Sequence, residues 1–185
     1  MASAYMSNLI RRVLDASHGR TWEEAVKEWK IIDCEEDEQC DAFCVCGKEH
    51  IRYLYTIHNE LTGRTIYPIG SSCIKKFHRN DMDEEITVME GQFRLYRAIR
   101  NQERIELSSK YFSKKLLLAL YEDGAFAPSK FNSYDGYNDY EFLLDMFNKR
   151  NKSEITDRQH AKIRGLIAYS IKPYLSSRLK VREVF

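Results

Sequence analysis

No apolar run in this chain approaches the roughly 20 residues that a membrane-spanning helix requires. The opening Met1-Ala2-Ser3-Ala4-Tyr5 has neither the basic region nor the apolar stretch of a secretory leader. The expected location is therefore the cytoplasm, with no membrane partner. Three prolines and eight glycines in 185 residues leave no low-complexity tract, and there is no internal repeat. Also missing are a phosphate-cradling glycine loop, a dinucleotide glycine fingerprint, a nucleophilic serine elbow and a convincing acid/base pair. These absences exclude the commonest enzyme classes, and the expectation is a protein that is not an enzyme. A disulfide framework is not expected either. All five cysteines fall between residues 34 and 73, the count is odd, and a reducing compartment keeps thiols free.

What is present suffices for a packed core: 43% of residues are hydrophobic and 12% aromatic. The net charge of +1 conceals an asymmetry. Residues 1 to 90 carry 11 Lys+Arg against 17 Asp+Glu, whereas residues 91 to 185 carry 18 against 11. Only the second half is suited to contact nucleic acid. The alternative is that the two charged halves face each other or solvent.

The densest chemistry lies in Cys44-Val45-Cys46-Gly47, followed by Gly70-Ser71-Ser72-Cys73. Two thiols one residue apart, then a glycine, make a tight knuckle. Between the knuckle and Cys73 lie two strand-like runs, Ile51 to Ile57 and Arg64 to Ile69, joined by the turn-forming Asn59-Glu60-Leu61-Thr62-Gly63. A hairpin places Cys44, Cys46 and Cys73 at the same open end. Soft thiolates gathered in this way suit a structural Zn²⁺, which takes four ligands in a tetrahedron. His58 sits at the opposite end, roughly 25 Å away at about 3.3 Å per residue, and is rejected as a ligand. For the fourth position, Cys40 could fold back and His50 could reach from beside the knuckle. Cys34 and His78 are less well placed. Were the site left with three ligands, Glu49 would be the nearest candidate base.

The remaining chain reads as mainly helical. Tyr5 to Ser17 carries an apolar stripe (Leu9, Ile10, Val13, Leu14), with Gly19 available to close it. Thr21-Trp22-Glu23-Glu24 is a capping box that predicts a helix from Trp22 to about Trp29. Lys30 to Cys34 reads as extended and Glu35 to Asp41 as an acidic loop. Pro68 marks its strand as an edge or a strand end. Ser71 or Ser72 is positioned to cap a helix beginning near Cys73. Asp83 to Glu106 predicts a long helix, with Gly91 the point where it would break. Further helices are expected from Ser113 to Glu122, from Tyr140 to Asn148, and after the Thr156-Asp157-Arg158-Gln159 box. The last would bury Ile163, Leu166, Ile167 and Ile171, with Pro173 kinking or ending it. The expected fold class is α+β: a small zinc-stapled β-hairpin module on a mainly helical body, with a division into residues 1–80 and 81–185.

The stretch Cys44-Val45-Cys46-Gly47-Lys48 … Ile51-Arg52-Tyr53 … Ile57-His58-Asn59 … Thr62-Gly63 … Ile69-Gly70-Ser71-Ser72-Cys73-Ile74-Lys75-Lys76-Phe77 resembles a zinc-knuckle segment. That segment recurs in largely uncharacterised proteins of bacteriophages and mobile elements, mainly of Gram-positive hosts. The resemblance spans about residues 22 to 78. It implies a small zinc-binding accessory protein and no particular substrate. Related segments place an extra ligand in the first strand, where this chain reads Tyr53-Leu54-Tyr55-Thr56.

Two surfaces could recognise a partner. Phe131 to Arg150 interleaves aromatic and basic residues, including Lys149 and Arg150, as single-stranded nucleic acid binders do. Arg94, Arg97, Arg100 and Arg104 recur along one helix at a spacing that could meet phosphates. The bland readings are a core of Phe142, Leu143, Met146 and Phe147 with tyrosines bracing a loop, and a salt-bridged helix face. The expected partner is nucleic acid or a host nucleic-acid-processing protein. The alternative is a phage inhibitor that grips a host enzyme or defence system, with Glu35 to Asp41 mimicking phosphate.

Overall fold

The computed structural model describes residues 3–182; Met1, Ala2 and Glu183 to Phe185, at the ends of the two predicted regions, lie outside the described residues. The α+β class is observed, as helices and a four-stranded mixed sheet. The chain divides into two compact units. Unit 1 comprises residues 1–87 and 179–185, and unit 2 comprises residues 88–178. Among the described residues no helix is long and apolar enough to cross a membrane.

In unit 1, α1 (Ala4–Asp15) begins at Ser3, whose side chain accepts the Met6 N–H. It buries Leu9 and Val13, and Ala16 rather than Gly19 forms its C-cap. The predicted capping box forms at Thr21 and Glu24 and opens α2 (Trp22–Ala25), which tightens into a 3₁₀ turn over Val26–Glu28. The sheet has the order β3-β2-β1-β4. β1 (Trp29–Asp37) and β2 (Tyr53–Asn59) are antiparallel, in a register running from Trp29 opposite Asn59 to Glu36 opposite Tyr53, with a bulge at Ile32. β3 (Thr65–Ile69) is antiparallel to β2 on the outside, where Pro68 costs no ladder bond. The predicted hairpin is thus two strands of a four-stranded sheet. Its other edge is β4 (Lys180–Arg182), which runs parallel to β1 with Lys180 opposite Glu35 and Arg182 opposite Asp37. Trp29, Leu54, Ile57, Ile69 and Ile74 are fully buried in this unit.

That pairing corrects the acidic loop. Glu35, Glu36 and Asp37 belong to β1, and Glu36 and Asp37 are buried. The Asp37 carboxylate accepts the N–H groups of Gln39 (3.2 Å), Asp41 (3.0 Å) and Ala42 (2.9 Å), so it caps the loop leading to the knuckle. It is a structural group rather than a surface charge.

After the sheet, α3 (Ser71–Ile74) begins at Gly70, which makes no side-chain cap; neither Ser71 nor Ser72 is the N-cap residue. α4 (Asn80–Arg100) runs unbroken through Gly91 and ends earlier than the predicted Glu106. α5 (Lys114–Glu122) is capped by Ser113 as expected. α6 (Gly136–Asn148) starts one turn before the predicted Tyr140, because Asp135 accepts the Tyr137 N–H. Gly136 is obligatory there: a Cβ would lie 2.1 Å from the Phe126 carbonyl oxygen. α7 (Asp157–Leu166) opens with the Thr156–Gln159 capping box. It continues through a π-helical turn, Ile167–Ile171, into α8 (Lys172–Arg178). Pro173 removes the α-helical donor for the Tyr169 carbonyl, and the widened turn before it accommodates that loss. Phe93, Leu95, Leu117, Leu120, Leu143, Ile171 and Leu175 form the core of unit 2.

Candidate metal centre

Gly47 makes the knuckle possible. Its φ of +94° lies in the left-handed region that favours glycine, and it lets the Gly47 N–H return to the Cys44 carbonyl at 2.8 Å. The Cys44 N–H donates to the Lys48 carbonyl (2.8 Å), and the Val45 N–H donates to the Pro68 carbonyl (2.9 Å) on β3. The knuckle is therefore fastened to the strand that leads to Cys73. Asn8, on α1, donates its side-chain amide to the Cys46 carbonyl at 3.1 Å.

These constraints bring three sulfurs together. Cys73 Sγ lies 3.6 Å from Cys44 Sγ and 3.4 Å from Cys46 Sγ, and all three atoms are within 4.8 Å of one another. All three cysteines are free and buried. Two thiolates on a tetrahedral zinc with bonds of about 2.3 Å stand about 3.8 Å apart, so the observed triangle matches one face of such a tetrahedron with little movement. The charge of these sulfurs is unevenly shared. The contact with Cys73, together with N–H groups of Cys46 and Gly70 aimed at the same sulfur, lowers the Cys44 thiol to about 5 against the opposing effect of burial. The Gly70 N–H reaches Cys44 Sγ at 3.4 Å. Cys73 is pushed upward by its bond to Cys44, by burial and by that neighbouring negative sulfur. A thiolate is the metal-binding form, and at Cys44 the Cys73 contact and then the backbone favour it.

Neither proposed fourth ligand joins the cluster. Cys40 and His50 lie on either side of the knuckle, both with left-handed backbone (φ +57° and +59°), and His50 Nδ1 meets the Cys40 carbonyl at 3.1 Å. The His50 side chain is 76% exposed and faces Glu49 at 4.0 Å, so it and Glu49 point to solvent rather than to the buried sulfurs. Ala42 and Ile51 bridge the loop between them, and the half-buried Cys40 sulfur sits against the Glu38 carbonyl at 4.0 Å. Among the described residues, the three cysteines form the only such cluster of metal-ligating side chains. His58 is on β2 at the far end, with Nδ1 3.5 Å from Thr65 Oγ1, as its rejection requires. The sequence reading missed Gly70 and Asn8 because their contributions are a main-chain N–H and a contact 38 residues distant.

The basic candidates are distributed over unit 2. On α4, Arg94 and Arg100 are exposed and Arg97 is half-buried, with Arg100 lying 5.8 Å over the Tyr96 ring. Lys149 donates to the Glu154 carbonyl (3.3 Å) after α6, and Arg150 beside it is exposed. The structure thus leaves them on separate elements. On α6, Leu143 and Met146 are core, Phe142 and Phe147 carry Lys162 and Lys152 over their rings, and Tyr137 and Tyr140 cluster with Tyr121 at centroid distances of 5.2 to 5.8 Å. No family model, curated protein or solved structure matches this chain.

Proposed function

We propose that this chain is a phage-type zinc-binding accessory protein, not an enzyme. A structural Zn²⁺ held by Cys44, Cys46 and Cys73 fixes unit 1, and unit 2 contacts nucleic acid or an assembly that processes it. The observation that carries the metal reading is the triangle of buried sulfurs at 3.4 and 3.6 Å. Three thiolates leave one tetrahedral position to a ligand outside the cluster, and Glu49, the candidate base for an open site, is exposed away from the sulfurs, which favours a structural role over a catalytic one. The resemblance of residues 22 to 78 to phage and mobile-element knuckles supports the same assignment.

The nucleic-acid reading draws on charge. Residues 88–178 carry 16 Lys+Arg against 11 Asp+Glu, a net of +5, so the positive charge of the second half stays with unit 2 when the strand β4 is counted with unit 1. The competing reading, an inhibitor that grips a host enzyme through Glu35 to Asp41, loses support from the burial of Glu36 and Asp37.

Elemental analysis of the untagged protein tests the first half of this reading. About one zinc per chain is expected, lost in Cys44→Ser and Cys73→Ser. Absence of metal from reduced wild-type protein would refute it. Titration with labelled DNA and RNA tests the second half. Salt-sensitive binding is expected, and binding of a host protein without nucleic-acid affinity would favour the inhibitor.

A further inference from the structure

A groove in unit 2 lies apart from the metal centre and from the arginines of α4. It has a volume of about 1050 Å³ and lies between the Gly124–Phe131 loop and the helical run from α7 to α8. Two of its aromatic side chains have almost no packing to lose: Phe131 is 81% exposed and Tyr169 is 85% exposed. A fully exposed large aromatic contributes nothing to a core, and two on one groove form a platform rather than scattered surface hydrophobics. Tyr169 stands on the π-helical turn, a local widening that is common at functional positions.

The polar groups of the groove select the ligand. Its one lining carboxylate, Asp139, is buried and already engaged, with the Asn132 amide at 2.8 Å and Lys162 Nζ at 3.0 Å. Arg158 is exposed on the same helix face and adds a positive charge that Asp139 does not offset. Lys130 lies 5.1 Å over the outer ring, Phe131. Tyr174 on the opposite wall donates to Asp123 at 3.0 Å; burial and that carboxylate raise its pKa to about 12, so it stays neutral. Aromatic faces at the rim, a cation on the wall and a neutralised floor complement a ligand with flat π-surfaces and a negative backbone.

We propose that this groove binds single-stranded nucleic acid, with Tyr169 and Phe131 stacking on bases and Arg158 meeting the phosphodiester backbone. The proposal rests on the nucleic-acid reading above and assigns it a place. Stacking on exposed aromatics tolerates any base, so affinity without strong sequence preference is expected.

The test is fluorescence anisotropy of the zinc-replete full chain with labelled oligo-dT and, separately, oligo-U. Tyr169→Ala and Phe131→Ala should each weaken binding between about fivefold and a hundredfold, while Tyr169→Phe, which keeps the ring, should bind as wild type does. Arg158→Gln should reduce the slope of log K against log salt by about 0.7, the value for one phosphate contact on a single strand. A preference for oligo-dT or oligo-U identifies which strand the groove takes. If both oligonucleotides bind, but the alanine variants bind normally and only the Arg94→Gln, Arg97→Gln, Arg100→Gln triple variant fails, the groove is overturned and the nucleic-acid reading stands. If wild type binds neither oligonucleotide, both fall.

Discussion

Unit 1 and unit 2 both bury carboxylates, but they use them differently. In unit 1 two of the three buried carboxylates, Asp37 and Glu28, hold main chain, while the third, Glu36, meets the Arg52 guanidinium at 3.6 Å. Asp37 caps three N–H groups ahead of the knuckle, and Glu28 receives the N–H groups of His18 (2.8 Å) and Gly19 (2.6 Å) together with the Asn59 amide (2.6 Å). In unit 2 the buried carboxylate Asp139 serves side chains, Asn132 and Lys162, and the backbone is satisfied within helices. The first unit has irregular connections around a sheet, whose orphan donors need polar acceptors and whose knuckle gathers three thiols that could hold a metal ion. The second closes its hydrogen bonds locally and can leave aromatic side chains on its surface. The difference separates a unit specified by ligands and caps from one specified by helix packing.

Metal removal should expose that difference most strongly. A structural zinc contributes on the order of 10 kcal/mol to small metal-dependent folds. Chelation under reducing conditions, or Cys73→Ser, should therefore abolish hydrogen-exchange protection across β1 to β3 and the knuckle. Amides of α5, α6 and α7 should retain theirs. Both tryptophans, Trp22 and Trp29, lie in unit 1, so tryptophan emission should shift to the red while the far-ultraviolet helix signal largely persists. Uniform loss of protection across both units would break the comparison.

Next in size are the buried carboxylates. Asp37→Ala leaves three N–H groups without their acceptor; the one on buried Ala42 bears the full orphan cost of about 1–3 kcal/mol and those of exposed Gln39 and Asp41 add less, so roughly 2–3 kcal/mol of unit 1 stability should be lost. Asp139→Ala should cost less. Its partner Lys162 has a side chain 37% exposed and can turn to water. Denaturant melts read by tryptophan emission for the first variant and by helix signal for the second would rank them. An Asp139→Ala cost equal to that of Asp37→Ala would erase the distinction between main-chain and side-chain service.

The sequence made some of this legible and concealed the rest for physical reasons. Cys44, Cys46 and Cys73 were readable because a hairpin brings its open ends together whatever packs around it. Caps at Thr21, Ser113 and Thr156 were readable because they are local. β1 reads as acidic loop beyond Cys34, yet it is a central strand, and tertiary pairing overrides the poor strand propensity of Glu35-Glu36-Asp37. Its partner β4 lies about 145 residues away in sequence and is only three residues long, too short to carry a periodic signal. The basic ends of β4 oppose the acidic end of β1, and Lys180 pairs with Asp33. Part of the charge asymmetry between the halves is thus consumed inside unit 1. The groove had a signal that went unread. The inward set Ile163, Leu166, Ile167 and Ile171 leaves Arg158, Lys162, Gly165 and Tyr169 at spacings of four, three and four on one face.

The smallest predicted effect is a pH dependence confined to unit 1. Burial by itself would raise the Glu28 carboxyl, but the Asn59 amide and the N–H groups of His18 and Gly19 outweigh it and hold the pKa below its ordinary 4.5. A folded-state pKa below the unfolded one means the carboxylate binds its proton more readily when the chain unfolds. The stabilisation from Glu28 is therefore complete above about pH 4.5 and is lost as pH falls through the lower folded value. Glu28→Gln removes the charge while retaining an acceptor oxygen, so the variant should be less stable than wild type at neutral pH. The gap between them should narrow on acidification. Tryptophan-detected melts of both proteins from neutral to acidic pH would show this convergence. Melts that stay parallel down to pH values below the folded pKa would mean that the Glu28 network holds the His18–Gly19 corner by shape and not by charge, and the corner would then resemble the helix-packed unit more than the knuckle at the other end of the sheet.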